Sequence, residues 1–202
     1  MLSQRARGFS VLEMMIVICL ILIVSAFSAM TIQPALKSGR VTQAYNTTLN
    51  AMRQAREFSV AQRQIYFVTL KNAAMPNSIT ITQGSTGTVT DTYLLPNDVA
   101  FDIEPGYPTS PTVAPTTPDG FGTGALSIDL DQGIAAGAKN VVYFYPDGSA
   151  ADVLGNVNNG VVYVARPGEI INARAITLWG ATGRLRGWHI YKNAAKYYWR
   201  QQ

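Results

Sequence analysis

Apolar and polar positions change rhythm three times along the chain. From Phe9 to Met30 the stretch FSVLEMMIVICLILIVSAFSAM runs 22 residues with a single charge, Glu13. A helix rises about 1.5 Å per residue and a bilayer core is about 30 Å thick, so a run of about 20 such residues can cross it. Apolar residues then return at Val41, Tyr45, Leu49, Met52, Ala55, Phe58 and Ile65. Their spacing, mostly three and four, predicts one buried stripe on a second helical stretch. Arg53, Arg56, Gln62 and Arg63 lie mainly off that stripe and read as a solvated or partner-facing flank. Pro34 and Gly39 stand between the two stretches and predict an interruption, because proline removes a backbone hydrogen bond and glycine loosens the helix.

Beyond residue 64 the period shortens. Strand-like runs are read at Ile65–Leu70, Ser78–Thr82, Thr88–Leu95, Val99–Ile103, Ala125–Leu130, Val141–Tyr145, Val161–Ala165, Ala175–Leu178 and Arg184–Tyr191. Several alternate, and most are bounded by Gly, Asn, Asp or Pro. Pro146–Gly148 (PDG) predicts a hairpin turn, and GNVNNG at Gly155–Gly160 a second turn. Between Pro105 and Pro118 lies PGYPTSPTVAPTTP, a Pro/Thr-rich stretch with no core-forming pattern, which predicts a mobile or exposed tip. The expected class is α+β, with a long N-terminal helix, membrane-spanning in its first half, packed against an antiparallel β head. Divided by pattern, residues 9–36 form the membrane half of the helix, 37–64 its amphipathic half and 65–202 the head.

Charge adds a second layer. Charged residues are only 14% of the chain, against about a quarter in an ordinary soluble domain. Residues 37–71 carry a net +5, residues 72–152 a net −8 and residues 153–202 a net +6. A basic end of this kind can meet phosphates or the acidic surface of a neighbouring subunit. The single cysteine, Cys19, lies inside the apolar run, so no disulfide within the chain can form.

Arg5 and Arg7 precede the apolar run with no acid among them, which places the N-terminus on the cytoplasmic side and the head outside. A secretory signal peptide would have a shorter apolar core ending in a small-residue cut site. A plain anchor would not keep Glu13, since a carboxylate in lipid costs at least about 2.5 kcal/mol. The residues RARGFSVLE resemble the signal of type IV prepilins. That resemblance implies cleavage between Gly8 and Phe9 by the prepilin peptidase, with residues 1–8 as leader peptide, and methylation of the new amino group on Phe9. Glu13 then becomes the fifth residue of the mature chain and an assembly residue. An α-amino cation in an apolar setting is neutralised by a neighbour's carboxylate, a pairing worth far more there than in water.

The head resembles the GspH/FimT branch of that family. LNAMRQAREFSVAQRQIYFVTL is similar to its passage from helix to first strand, VVYFYPDGSA to a later strand, and ATGRLRGWHIY to its last strand. The resemblance implies an antiparallel two-sheet head capping the helix, and a minor pilin or pseudopilin of a type IV pilus or type II secretion system. Its partners would be other pilin subunits, the prepilin peptidase, the inner membrane and the assembly machinery. The chain would lie in the bacterial inner membrane with its head in the periplasm, and later in the filament. Residues 72–139 resemble nothing in the family.

Few residues suggest reaction chemistry. The only histidine, His189, has no partner set for zinc, and a lone strand histidine is usually packed or exposed. Asp129 and Asp131 alternate along a strand, where a solvated face is favoured over a calcium pair. Gly180, Gly183 and Gly187 are not followed by the Lys-Ser/Thr of a phosphate loop. No enzyme and no cofactor is expected. The C-terminus is more informative. Gly183, Arg184 and Arg186 form a Gly-Arg-x-Arg pattern with two guanidiniums on one face of a strand, followed by Trp188, Lys192, Lys196, Tyr197, Tyr198, Trp199 and Arg200. Guanidiniums with stacking rings suit nucleic acid. In the FimT branch this motif is linked to DNA capture, so DNA is the alternative partner. The competing reading gives the same residues to subunit contacts and core closure.

Overall fold

The computed structural model describes residues 9–133 and 139–202. It divides into two compact units, Met1–Gly39 and Arg40–Gln202. The expected leader, with Arg5, Arg7 and the expected cleavage residue Gly8, lies outside the described residues.

Helix α1 is Val11–Gln62 and carries Pro34 inside it. The expected interruption at Pro34 and Gly39 is therefore absent, and the helix runs through both. One unpaired carbonyl does not stop a helix when the turns on either side continue. In the first unit Ile16, Leu20, Ile23 and Phe27 are all more than half exposed. This stretch is long and apolar enough to cross a membrane.

The second unit combines the rest of α1 with two five-stranded antiparallel sheets. The first sheet contains β1 (Tyr66–Lys71), β2 (Ser78–Gln83), β3 (Val89–Leu94), β5 (Val141–Phe144) and β6 (Ala150–Ala151), in the order β3-β2-β1-β5-β6. The second contains β4 (Ile128–Gly133), β7 (Asn158–Arg166), β8 (Glu169–Trp179), β9 (Arg184–Asn193) and β10 (Lys196–Gln201), in the order β10-β9-β8-β7-β4. The α+β class and the two-sheet head are thus present.

The stripe on α1 explains how the sheets are held. Val41, Tyr45, Leu49, Met52 and Ala55 are buried in one cluster with Val68 and Leu70 of β1, Ile79 and Ile81 of β2, Val164 of β7, and Ile176 and Leu178 of β8. One helix face thus serves both sheets. Each large apolar side chain that is fully buried stabilises by about 1.5–3 kcal/mol. Strand β7 is buried on both faces, which is why VVYVA reads as a continuous apolar run. Val162 and Val164 join the helix cluster, while Val161, Tyr163 and Ala165 face a second cluster with Tyr107, Ala175 and Ile190.

That second cluster corrects the expectation for the Pro/Thr-rich stretch. Residues 105–118 are not simply an exposed tip: Tyr107 and Thr117 are buried. The Tyr107 ring meets Trp199 edge-on at 5.4 Å and Tyr163 at 6.0 Å. The segment covers the face of the second sheet turned away from the helix. Val99–Ile103 is likewise not a strand and makes one isolated bridge, Ala100 to Ala165.

The turn at Pro146–Gly148 joins β5 to β6 as expected, with Gly148 at φ 82°. The second turn falls earlier than expected. The Asp152 carboxylate accepts the amides of Leu154 and Asn156 at 2.8 and 2.9 Å, and Asn158 already begins β7. Bonding from Asn156 in particular holds the Asp152 carboxyl below its ordinary range. Strands β6 and β10 are additions to the sequence reading.

Candidate functional site

Two turns of the second unit meet at one guanidinium. Arg56 on α1 donates from Nε to the Gly148 carbonyl and from Nη2 to the Thr182 carbonyl, both at 3.1 Å. Arg56 is therefore not a solvated flank but a clasp on two turns. Gly183 adopts φ 59° at the start of β9. A Cβ on it would lie 2.8 Å from Arg56 Nε, so the backbone closes there only because the residue is glycine. Gly187 allows another close approach, this time by the Tyr45 hydroxyl of α1.

Arg184 and Arg186 follow on one face of β9, as their spacing predicts. Their surroundings differ. Arg184 is exposed and has no acidic partner among the described residues. Arg186 Nη1 meets Asp119 Oδ1 at 2.8 Å, and its guanidinium lies 5.3 Å from the Trp179 ring centre. The Asp119 carboxylate is nearly buried and also accepts from Thr177 Oγ1 and from Trp179 Nε1 at 3.0 Å. Trp188 Nε1 donates in turn to Thr177 Oγ1 at 3.0 Å.

Between this network and α1 lies a cleft of about 670 Å³ lined by Arg53, Arg56, Glu57, Trp179, Arg184 and Arg186, among others. Four guanidiniums and one carboxylate, that of Glu57, line it. Such a lining can hold a phosphate or a carboxylate through charge-assisted hydrogen bonds. Asp119 limits this capacity by neutralising Arg186.

The other basic residues singled out in the sequence do not join this cleft. Strand pairing puts Lys192 on the Arg184/Arg186 face of the second sheet, opposite Tyr197. Lys196 and Arg200 point to the other face, with Tyr198 and His189. Lys192 Nζ lies over the Tyr197 ring at 5.7 Å. The six residues Gly183, Arg184, Arg186, Lys192, Lys196 and Arg200 therefore occupy a turn and two opposed faces rather than one surface.

His189 is paired across strands with Arg174 on one side and Arg200 on the other. Burial, then Arg174, then Arg200 hold its pKa below the ordinary 6.5. Its Nδ1 is buried and has no hydrogen-bond partner among the described residues.

Asp129 is buried, 2% exposed, and not on a solvated face. Lys139 Nζ stands 4.0 Å from its Oδ1. The Asp129 charge, after burial, raises the pKa of the Tyr163 hydroxyl. The Asp131 side chain lies outside the described residues. Among the described residues no three His, Cys, Asp or Glu side chains are grouped to hold a metal.

At the other end of the chain, Phe9 is exposed and Glu13 sits in the first turn of α1. A carboxylate there is favoured by the positive end of the helix dipole.

Sequence reading missed two members of the C-terminal site. Asp119 lay in the stretch that resembles nothing, although PDG at Pro118–Gly120 repeats the turn signal of Pro146–Gly148. The clasp of Arg56 had no signal, because both of its acceptors are backbone carbonyls. Searches against family models, curated proteins and solved structures gave no match to this chain.

Proposed function

We propose that the chain is a minor pilin or pseudopilin of the GspH/FimT type. It is held in the inner membrane by the first half of α1, cut between Gly8 and Phe9, and built into a pilus or pseudopilus. The observation that carries this reading is α1 itself. Its apolar half exposes side chains all round with one carboxylate, Glu13, in the first turn, while its second half is the buried spine of a β head. A second support comes from the resemblance. The three stretches that resemble the GspH/FimT head contribute Arg56, Gly148 and Gly183, and these three touch.

Co-expression of the full chain with a prepilin peptidase tests the reading. Intact mass should fall by residues 1–8 and gain one methyl group on Phe9, and Gly8→Val should abolish both changes. An unchanged mass beside a processed control prepilin would overturn it. Glu13→Val should be cut normally yet fail to enter filaments. Loss of exoprotein secretion on deletion would assign the host machine to type II secretion.

The arginine-lined cleft favours a second reading, a DNA receptor displayed on the filament. Retardation of DNA by the full chain in detergent, weakening steeply with salt and lost in Arg184→Ala plus Arg186→Ala, would put this reading first. No binding by wild type at low salt would leave the basic end to subunit contacts.

A further inference from the structure

Three basic side chains form one row across the second sheet. Arg174 of β8 is paired with His189 of β9, and His189 with Arg200 of β10. Residues directly opposite across antiparallel strands share a face, so all three stand on the same side of the sheet. Adjacent strands lie about 4.8 Å apart, which sets the two arginine backbones about 10 Å from each other with the imidazole between them. Tyr45 of α1 lies against Gly187 on one side of the row, and the stacked rings of Tyr191 and Tyr198 stand on the other. Arg184 and Arg186 point to the opposite face, and no member of the row lines their cleft.

The protein supplies no counter-charge to this row. Among the described residues neither Arg174 nor Arg200 has an acidic partner. The deficit is written into the sequence: there is no Asp or Glu in α1 from Met14 to Arg56, and none from Ile170 to Gln202. Arg200 is exposed, but Arg174 is half-buried, and burial pulls its pKa below the ordinary guanidinium range. Burial first, then the two guanidiniums, likewise hold His189 low. A charge taken partly out of water without a partner is costly, and an anion from solution relieves that cost.

We propose that Arg174 and Arg200 clamp a dianionic phosphate group over His189, either free phosphate or the phosphate of a monoester. Two uncompensated guanidiniums match its double charge, and each offers paired N–H donors to its oxygens. A bound dianion offsets the repulsion on the imidazole, so binding and protonation of His189 favour each other. The ring is flanked by Arg174 from β8, Arg200 from β10 and Tyr191 on its own strand, while Tyr45 of α1 interacts with Arg174. The site lies wholly within the second unit and needs neither the membrane nor the cleft.

His189 is the only histidine, so the imidazole resonances of the full chain in detergent report on this site alone. At constant ionic strength inorganic phosphate should shift them saturably, and chloride should not. Sulfate keeps its double charge throughout the His189 titration. At saturation it should raise the pH of half-protonation by at least about 0.5, equivalent to at least about threefold tighter binding to the protonated ring. Arg200→Gln, at an exposed position, should weaken phosphate binding at least about fivefold, and Arg174→Gln should do the same. Tighter binding of phenyl phosphate than of inorganic phosphate would assign the group to a monoester resting on Tyr191 and Tyr198; equal binding would assign it to the free ion. Both uphold the clamp. Phosphate acting no differently from chloride, or Arg200→Gln binding like wild type, would overturn it. An equal response to dimethyl phosphate, a singly charged diester, would overturn the dianion assignment.

Discussion

A Cβ atom on Gly183 would lie 2.1 Å from the carbonyl oxygen of Gly148. These glycines belong to two different motifs of the sequence, and their contact joins the edge of the first sheet to the β8–β9 turn of the second. Arg56 completes the joint by donating to the same Gly148 oxygen. The glycine of the Gly-Arg-x-Arg pattern therefore has a packing role independent of any ligand.

Gly183→Ala should destabilise the head by about 3 kcal/mol or more, combining a left-handed backbone with displacement of the Gly148 turn. Gly87→Ala is the control. Its φ is 68° and the space around it is open, so it should cost only about 1–2 kcal/mol. All three tryptophans lie in β8–β10, so fluorescence during denaturation of the full chain in detergent reports on the head. Equal costs for the two variants would show that the close approach does not exist.

Asp119→Ala removes the acceptor shared by Arg186, Thr177 and Trp179. Stability should fall by about 1–3 kcal/mol, the range for unsatisfied buried donors. If the cleft binds phosphates, the released Arg186 should tighten binding of a labelled oligonucleotide at least about threefold at low salt, seen by anisotropy. Weaker or unchanged binding would mean that Asp119 does not limit the cleft.

His189 makes the head sensitive to mild acid. Its folded pKa lies below the 6.5 of an unfolded chain, so the unfolded state takes up a proton first as pH falls. Stability is therefore fully present above about pH 6.5 and declines from there toward the folded pKa. Denaturation midpoints measured from about pH 7.5 to 5 should show this slope, and His189→Gln should flatten it. A slope unchanged in the variant would assign the effect to other groups.

Tyr163 is fully buried, and its hydroxyl has no hydrogen-bond partner among the described residues. Tyr163→Phe should therefore cost less than about 1 kcal/mol, whereas Tyr163→Ala should cost about 3–5 kcal/mol by leaving a cavity between Tyr107 and Trp199. Denaturant midpoints of the two variants check the difference. A large cost for Tyr163→Phe would reveal a partner for the hydroxyl.

Much of the fold was legible because the helix stripe and most strands follow local periods. Val41, Tyr45, Leu49, Met52 and Ala55 recur at helical spacing and are buried together. Strand β10 was missed because KYYWRQ lacks the aliphatic alternation of a core strand; its Tyr197 and Trp199 rings pack on the second cluster instead. Proline and threonine hid the covering role of residues 105–118, since the large apolar residues there are only Tyr107 and Val113, and Val113 is exposed. In the candidate site, spacing gave the shared face of Arg184 and Arg186 but not the pairing of Arg186 with Asp119, 67 residues away. Long-range pairing of charges leaves no local period. The opposed placement of Lys192 and Lys196 follows from the β9–β10 hairpin, which the sequence reading did not contain.

The bond from Arg56 to Thr182 spans 126 residues. It sets an order on how the molecule can be made. The helix is synthesised first, and its stripe needs β8, near the end of the chain, to be covered completely. Local helix can form early, but closing a loop of this length must precede the reward of the contacts it brings. The apolar stripe on the second half of α1 therefore stays partly uncovered until the chain has been made past Gly183. During that interval a chaperone or another subunit has access to a surface that the finished protein hides.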